Sequence, residues 1–344
     1  MINTDCQWLT TKHYLCVLTV LIATFSFSAK ADASVFEVGF RKFEVAYGHE
    51  GSTFSMAVLY PSASVAKKVA FGPFQMHVAV GGTPAEGLFP LVIWSHGSGG
   101  SNMSYKDTAM SLAQQGFIVA MPLHPNDNFR DNRLQGSLAN YINRPKQIQA
   151  AIDELLTTSV LNRQINQGEI AVIGHSVGGY SALAVAGGIA DTGALIRICR
   201  QNMTLKDPYC APARNGSLLA EVIPVVKDSR IKALVLMAPL GILFSAEGAL
   251  KQVDIPVLLL QAEKDEELTE PFNTDVIVEG LPNKKMLTLQ KITNAGHYAF
   301  LNAFPEEIKA ELGNIAIDPE GFDRIAFQQT LGLRLADYLN SVFK

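Results

Sequence analysis

Charged residues are scarce in this sequence, and neither sign dominates. Only 17% of the 344 residues are charged, and 28 Lys and Arg against 32 Asp and Glu give a net charge of −4 at pH 7. Nucleic-acid-binding and membrane-surface proteins usually show a clustered basic excess, which is missing here. Hydrophobic residues make up 48% of the chain, which excludes a disordered protein and allows a large core. The composition favours a globular protein that acts on a small, mostly neutral molecule, with no nucleic-acid partner.

The N-terminus has the features of a secretory leader. Lys12 precedes an apolar run from Tyr14 to Phe27, and Ala29-Lys30-Ala31 supplies the small residues of a cleavage site. The run is too short to cross a bilayer comfortably, although an uncleaved membrane anchor is the alternative. We therefore expect a signal peptide at residues 1–31 and an exported protein, periplasmic or secreted, at residues 32–344.

Cysteine is rare as well. Loss of the leader would remove Cys6 and Cys16 and leave only Cys199 and Cys210. In an oxidising compartment two cysteines this close in sequence predict a disulfide, and two free thiols are the alternative. No metal is expected, because two cysteines without a nearby histidine do not make four ligands and no helical H-x-x-x-H spacing occurs. No cofactor is expected either.

Short apolar runs alternate with helical stretches from about residue 90 onwards. Runs without polar alternation are typical of strands buried on both faces of a parallel sheet. The runs are Leu91–Trp94, Phe117–Met121, Ile170–Ile173, Ala233–Met237 and Val257–Leu260, with a more amphipathic strand, Lys285–Gln290, expected near an edge. The predicted helices are Tyr105–Gln115, Arg144–Leu156, Val177–Gly187 and Phe322–Phe343. This order predicts a doubly wound α/β sheet with right-handed crossovers.

Two regions depart from the alternation. Phe36–Tyr47 and Ser52–Pro61 predict an antiparallel hairpin at the sheet edge, followed by a loop-rich passage with glycine and proline between residues 72 and 84. Residues 188–229 are too long for a simple crossover and contain both remaining cysteines. We interpret them as a cap insertion over the strand ends, and a structural flap without a substrate role is the alternative.

The strongest motif is Gly174-His175-Ser176-Val177-Gly178, directly after a buried strand and before a helix. This is G-x-S-x-G in a strand–turn–helix context, which presents a nucleophilic serine on a sharp turn. Glycine is expected at both flanking positions because side chains there would collide where strand and helix nearly touch. The motif predicts Ser176 as nucleophile and the backbone N–H of Val177 as one oxyanion donor.

A serine nucleophile needs a base, which a third group orients. In this architecture the order along the chain is serine, acid, histidine. His297 follows the last predicted strand in a glycine-bearing loop and is the expected base, although a loop histidine without a role is the alternative. Asp265 lies where the preceding strand ends and is the expected acid. Neighbouring carboxylates are interpreted as a solvated rim: Glu263, Glu266 and Glu267.

The second oxyanion donor is expected in the segment Ser95-His96-Gly97-Ser98-Gly99-Gly100 after the strand Leu91–Trp94. Glycines let this backbone approach the substrate closely, and the Ser98 N–H is the predicted donor. His96 and His175 are expected to brace the loops by hydrogen bonds. The same glycines faintly resemble a dinucleotide-binding fingerprint, but Asn102 replaces its third glycine and the next strand lacks the acid.

These motifs resemble those of the α/β-hydrolase superfamily and, within it, bacterial exported dienelactone-hydrolase-like proteins and platelet-activating-factor acetylhydrolases. The resemblance covers residues 90 to the end. It rests on Ser95-His96-Gly97-x-Gly99-Gly100, His124-Pro125, Arg144-Pro145, Gly174 to Gly179, Asp265 and Gly296-His297. True dienelactone hydrolases use a cysteine nucleophile, whereas this chain has Ser176. The resemblance implies cofactor-free ester hydrolysis, with short or oxidised acyl groups.

The expected reaction is hydrolysis of short-acyl esters, lactones or acetyl and oxidised phospholipids through an acyl-enzyme on Ser176. A phospholipase or lipase acting on longer acyl chains is one alternative, and peptidase activity on the same triad is another. A non-catalytic binding protein on the same fold is a third, because a fold does not dictate a function.

Overall fold

The computed structural model describes residues 35–48, 51–224 and 227–344. The predicted leader, with Cys6 and Cys16, lies outside these residues. The strands are β1 (Glu37–Ala46), β2 (Thr53–Ser62), β3 (Lys67–Phe71), β4 (Phe74–Val80), β5 (Phe89–Ser95), β6 (Ile118–Pro122), β7 (Ile165–His175), β8 (Ile231–Met237), β9 (Val257–Ala262) and β10 (Leu287–Ile292). The helices are α1 (Lys106–Gln114), α2 (Leu138–Thr157), α3 (Val177–Val185), α4 (Thr192–Gln201), α5 (Cys210–Asn215), α6 (Thr274–Gly280), α7 (Glu306–Leu312) and α8 (Arg324–Val342).

The strands of the described ranges form one sheet in the order β10-β9-β8-β7-β5-β6-β2-β1-β4-β3. Every neighbouring pair from β10 to β6 is parallel. The chain runs from β5 to β6 on one side and then returns to β7 on the other, so the strand order reverses between β5 and β7. Ligands of open α/β sheets bind in the crevice at the carboxyl ends of the strands at such a point.

Both faces of the parallel sheet are covered, as its uninterrupted apolar strands predicted. In β5, Leu91 and Ile93 pack into the layer shared with α2 and α3. Their neighbours Val92 and Trp94 point the other way, into the layer shared with α1 and α8. Successive strand side chains alternate between faces, so a strand between two helical layers needs apolar residues at every position. The predicted α/β-hydrolase arrangement of sheet and helices is confirmed.

The N-terminal region contains more strands than the sequence predicted. Strands β1 and β2 form the expected antiparallel hairpin, but β2 pairs with β6 and β1 pairs with β4, so the hairpin does not form the sheet edge. The passage predicted as loop-rich, residues 72–84, contains β4, which forms a second hairpin with β3 that turns at Gly72-Pro73. Both strands are short and mix lysine, glutamine and histidine with apolar residues, which obscures their alternation. At the opposite edge β10 is outermost, as predicted.

The long segment after α3 contains α4 and α5, which a disulfide joins. The Cα atoms of Cys199 and Cys210 are 5.2 Å apart. The guanidinium of Arg214 on α5 donates to the carbonyls of Cys199, Asn202 and Leu205, so one cation satisfies several backbone acceptors at the end of α4. Nowhere in the ranges 35–48, 51–224 and 227–344 does a helix have the length and apolar character needed to cross a membrane.

Candidate active site

Ser176 lies at the turn between β7 and α3 with φ 57° and ψ −125°. A non-glycine residue at positive φ is strained by about 1–3 kcal/mol, and such strain persists where neighbouring structure enforces it. A Cβ atom on Gly174 would lie 2.2 Å from the carbonyl oxygen of Gly178, and one on Gly178 would lie 2.0 Å from the Ser95 oxygen. Gly174 is therefore required by the strand–helix contact, as expected. Gly178, in contrast, is required by the neighbouring strand β5.

The structure brings His297 and Asp265 into contact at the carboxyl ends of β10 and β9. The imidazole Nδ1 lies 2.9 Å from Oδ2 and 3.1 Å from Oδ1 of Asp265. The carboxylate also accepts hydrogen bonds from the backbone N–H groups of Glu267 and Leu268, at 3.0 and 2.8 Å. Because β9 and β10 are adjacent and parallel, their following loops meet at one edge of the sheet.

The electrostatics of this pair favour a charged aspartate and a basic histidine. Burial disfavours the ionised carboxyl of Asp265, but the charge and hydrogen bond of His297 and the two amide donors outweigh it and lower its pKa. Burial also disfavours the imidazolium of His297, yet the Asp265 carboxylate and the nearby Glu267 and Glu266 raise its pKa above the ordinary value of 6.5. With Nδ1–H donated to Asp265, Nε2 is the basic nitrogen of the ring.

The three glutamates interpreted as a solvated rim also contact the loop of residues 294–298, which carries His297 and is called the histidine loop below. Glu266 accepts a hydrogen bond from the backbone N–H of His297 at 3.2 Å, and Glu263 accepts one from the N–H of Asn294 at 2.9 Å. The hydroxyl of Tyr298 donates to Glu267 at 3.0 Å. These glutamates therefore also stabilise the loop that carries His297. Their closeness to Asp265 in the sequence did not indicate this role.

The segment of residues 95–100 at the end of β5 is called the glycine loop below. A chain of hydrogen bonds through His175 links it to the histidine loop. The N–H of Gly97 donates to the Tyr105 hydroxyl at 3.3 Å, and that hydroxyl lies 2.9 Å from Nδ1 of His175. Nε2 of His175 donates to the backbone carbonyl of His297 at 2.9 Å. A carbonyl only accepts, so the proton is on Nε2 and Tyr105 donates to Nδ1. Burial lowers the pKa of His175 to about 3, which keeps the ring neutral.

A buried ion pair binds the glycine loop, which is predicted to supply one oxyanion donor. Asp127 accepts hydrogen bonds from the Ser98 hydroxyl at 2.5 Å and from the Asn140 amide at 2.6 Å. Arg144 on α2 pairs with the same carboxylate at 2.6 Å, both side chains are fully buried, and its guanidinium also donates to the carbonyl of His96. Burial raises the pKa of Asp127, but Arg144 and the two polar neighbours outweigh it and lower the pKa. Sequence reasoning missed Asp127, because its partner Arg144 is one of several polar residues of α2 and the sequence does not mark it as buried.

The glycine loop itself approaches the nucleophile closely. A Cβ atom on Gly97 would lie 3.3 Å from the Cβ of Ser176, and Gly99 has a left-handed φ of 64°. Nδ1 of His96 donates to the carbonyl of Gly97 at 2.7 Å, and its Nε2 accepts from the N–H of His124 at 3.1 Å. Burial lowers the pKa of His96 to about 3. In the described part of the chain, no three His, Cys, Asp or Glu side chains are grouped to hold a metal ion.

Ser176 and His297 both line one cavity of about 670 Å³. The long segment after α3 contributes only Pro208 and Tyr209 to the walls, and most of the apolar lining comes from elsewhere. It comes from the turn between β3 and β4 and from the segment around α7, neither of which the sequence had assigned to the site. These lining residues are Phe71, Phe74, Phe304, Ile308, Leu312 and Ile315.

Known proteins resemble this chain in part of its sequence and in its fold. A family model described as Chlorophyllase matches residues 62–206, which include the glycine loop and Ser176. Chlorophyllase-1, chloroplastic, from Citrus unshiu is 31% identical over 110 residues, which are 30% of this chain and 31% of that protein. The chain therefore spans about a third of the length of this relative. The family match ends before Asp265 and His297.

Two solved structures resemble nearly the whole chain. A ferulic acid esterase from Streptomyces cinnamoneus superposes with a TM-score of 0.60 and 18% identity, over 91% of this chain and 92% of that one. A dienelactone hydrolase-like promiscuous phosphotriesterase, P91, from metagenomic libraries superposes with a TM-score of 0.52 and 15% identity, over 89% and 100%. At such identities the likeness establishes the fold, which is the one the motifs predicted.

Proposed function

We propose that this chain is an α/β-hydrolase that hydrolyses carboxylic esters through an acyl-enzyme on Ser176. The observation that carries the proposal is the shared cavity: Ser176 on its strained turn and His297 paired with Asp265 open onto the same space. The family match and the similarity to a ferulic acid esterase support ester chemistry. A non-catalytic binding protein would need a cavity but not an oriented histidine–aspartate pair.

In the proposed reaction Nε2 of His297 takes the proton of the Ser176 hydroxyl as its oxygen attacks the ester carbonyl. Asp265 stabilises the imidazolium that forms. The N–H groups of Val177 and Ser98 donate to the oxyanion, and His297 then protonates the leaving alcohol. Water, deprotonated by His297, releases the acid and restores the serine.

The cavity favours a substrate with one large apolar group. Ligand sites of about 300–1,000 Å³ hold molecules of drug size, so an acetyl ester of a small alcohol would leave most of this space unfilled. Its walls carry aromatic and aliphatic side chains from three parts of the chain, among them Phe74, Phe304 and Ile315. This lining supports hydrolysis of longer-chain esters as a second candidate, beside the short-acyl esters, lactones and oxidised phospholipids expected from the sequence.

Export of the protein is part of the same proposal. It is supported by the leader pattern in residues 1–31 and by the disulfide between Cys199 and Cys210. Disulfides persist in oxidising compartments and are rare in the cytosol.

A chain-length series of nitrophenyl esters, from acetyl to dodecanoyl, tests the activity and the substrate preference together. We expect the wild type to hydrolyse members of the series and the Ser176→Ala variant to lose about 10⁴-fold or more in kcat while remaining folded. A kcat/KM that rises with chain length favours the long-chain candidate. Equal rates for the two proteins would contradict the proposal.

A further inference from the structure

The peptide between Gly97 and Ser98 lies beside the nucleophile, and its N–H group has no partner in the described part of the protein. A Cβ atom on Gly97 would lie 3.3 Å from the Cβ of Ser176. The other three N–H groups of residues 97–100 each donate to an acceptor within the protein. Among the residues that the structure describes, none accepts from the Ser98 N–H. This amide can therefore donate to an oxygen atom of a substrate.

The carbonyl of the same peptide is held on the buried side of the glycine loop. It accepts from Nδ1 of His96 at 2.7 Å and from the N–H of Gly100 at 3.1 Å. His96 is buried and does not line the cavity, whereas Gly97 and Ser98 do. The peptide is trans and planar, so its N–H and C=O point in opposite directions. Because the carbonyl points at the buried imidazole, the Ser98 N–H points toward the cavity.

The proton on Nδ1 of His96 is itself fixed by neighbouring groups. Nε2 of the ring accepts from the backbone N–H of His124 at 3.1 Å, and an N–H only donates, so Nε2 carries no proton. Burial and the charge of Arg144 lower the pKa of His96 to about 3, so the ring stays neutral with its single proton on Nδ1. The guanidinium of Arg144 also donates to the carbonyl of His96 and thereby holds its backbone. The imidazole is thus a donor of fixed direction.

We infer that His96 is a positioning residue of the oxyanion site: its Nδ1–H holds the Gly97 carbonyl on the buried side and so keeps the Ser98 N–H directed at the oxyanion. The inference rests on the proposed function. His96 does not line the cavity, so it acts only through the orientation of one peptide plane. Without this donor the carbonyl keeps only the Gly100 N–H, and a rotated peptide would turn its oxygen toward the oxyanion and repel it. A donor held in advance is what electrostatic stabilisation of a transition state requires.

Three substitutions of His96 test this role, because they place a donor at different points. His96→Asn puts an amide nitrogen where Nδ1 lies, His96→Gln puts its amide at the position of Nε2, and His96→Phe keeps a ring without a donor. We expect kcat for a nitrophenyl ester to fall by about 10²–10³-fold in His96→Phe and His96→Gln, as loss of an oxyanion donor does, with a much smaller change in KM. His96→Asn should retain at least about a tenth of the wild-type kcat.

The affinity for a trifluoromethyl ketone gives a second measurement. Its adduct with Ser176 carries an oxyanion, so its inhibition constant should weaken in parallel with kcat/KM across the three variants, at thermal midpoints close to that of the wild type. A kcat of His96→Phe within about twofold of the wild type would overturn the inference. Equal losses in all three variants, or losses that follow only the fraction of folded protein, would overturn it as well. A wild type without esterase activity and without labelling by a fluorophosphonate would instead reject the proposed function.

Discussion

Oδ2 of Asp265 lies 2.9 Å from Nδ1 of His297, and the two side chains are only 11% and 4% exposed. The contact fixes the tautomer of the imidazole with its proton on Nδ1 and so leaves Nε2 as the base. It also ties the carboxyl end of β9 to the loop after β10. The chemistry proposed for Ser176 depends on this pair.

The pH dependence of the reaction follows from this contact. The base must be neutral, so activity falls as the pH drops through the pKa of His297, which lies above 6.5. Asp265→Asn removes the charge that raises this pKa, so we expect the acid limb of kcat/KM to move to lower pH and kcat to fall about 10⁴-fold. The surface variant Asp254→Asn, on a carboxylate paired with Lys227, serves as control. An acid limb that stays in place in Asp265→Asn would contradict the assignment.

The buried pair of Asp127 and Arg144 leads to a stability prediction. Arg144→Met leaves the Asp127 carboxylate without its cation in a fully buried site. Breaking a buried ion pair by removing one partner costs about 3–5 kcal/mol, and we expect a loss of that size in urea unfolding. Glu306→Gln, which removes an exposed partner of Lys309, should change stability by less than about 1 kcal/mol. Similar losses in the two variants would show that Arg144 does not hold the loop.

Gly178 offers a steric prediction. In Gly178→Ala the new methyl group would lie 2.0 Å from the carbonyl oxygen of Ser95, so β5 and α3 must move apart. We expect a loss of about 1–3 kcal/mol, typical of overpacking, together with reduced esterase activity. Gly168→Ala is the matched control, since its Cβ atom would lie 3.4 Å from the nearest atom. A fully active, equally stable Gly178→Ala protein would argue against the tight turn.

The disulfide gives a further prediction. Replacing Cys199 and Cys210 by serine removes a cross-link between α4 and α5. On the chain-entropy model we expect the free energy of unfolding to fall by about 3 kcal/mol. A reductant should lower the thermal midpoint of the wild type toward that of the double variant and leave the double variant unchanged. A reductant effect of equal size in both proteins would point to another cause.

Those parts of the site that depend on residues close together in the sequence were predictable. The turn at Ser176 follows from glycines two residues away on either side, and the apolar runs of β5 and β7 follow from burial on both faces. The positions of Asp265 and His297 follow from the rule that loops after adjacent parallel strands meet. The fold was predictable for the same reason, because local apolar patterns mark its buried strands.

The remaining parts depend on contacts between distant segments. Asp127 supports the glycine loop only because Arg144 reaches across from α2, and Tyr209 lines the cavity only because the segment that leads into α5 is folded back and cross-linked. The hairpin of β3 and β4 was missed because its strands lack a clear apolar alternation. The apolar lining around α7 was missed since no motif marks it, although it contributes much of the cavity wall.

Reaction with a fluorophosphonate, followed by mass spectrometry of the labelled peptide, tests the central claim most directly. An oxygen activated by His297 should attack the phosphorus, so we expect one adduct per chain, located on Ser176, absent from Ser176→Ala and formed much more slowly in Asp265→Asn. Labelling at another residue, or none in a folded wild-type protein, would contradict the account.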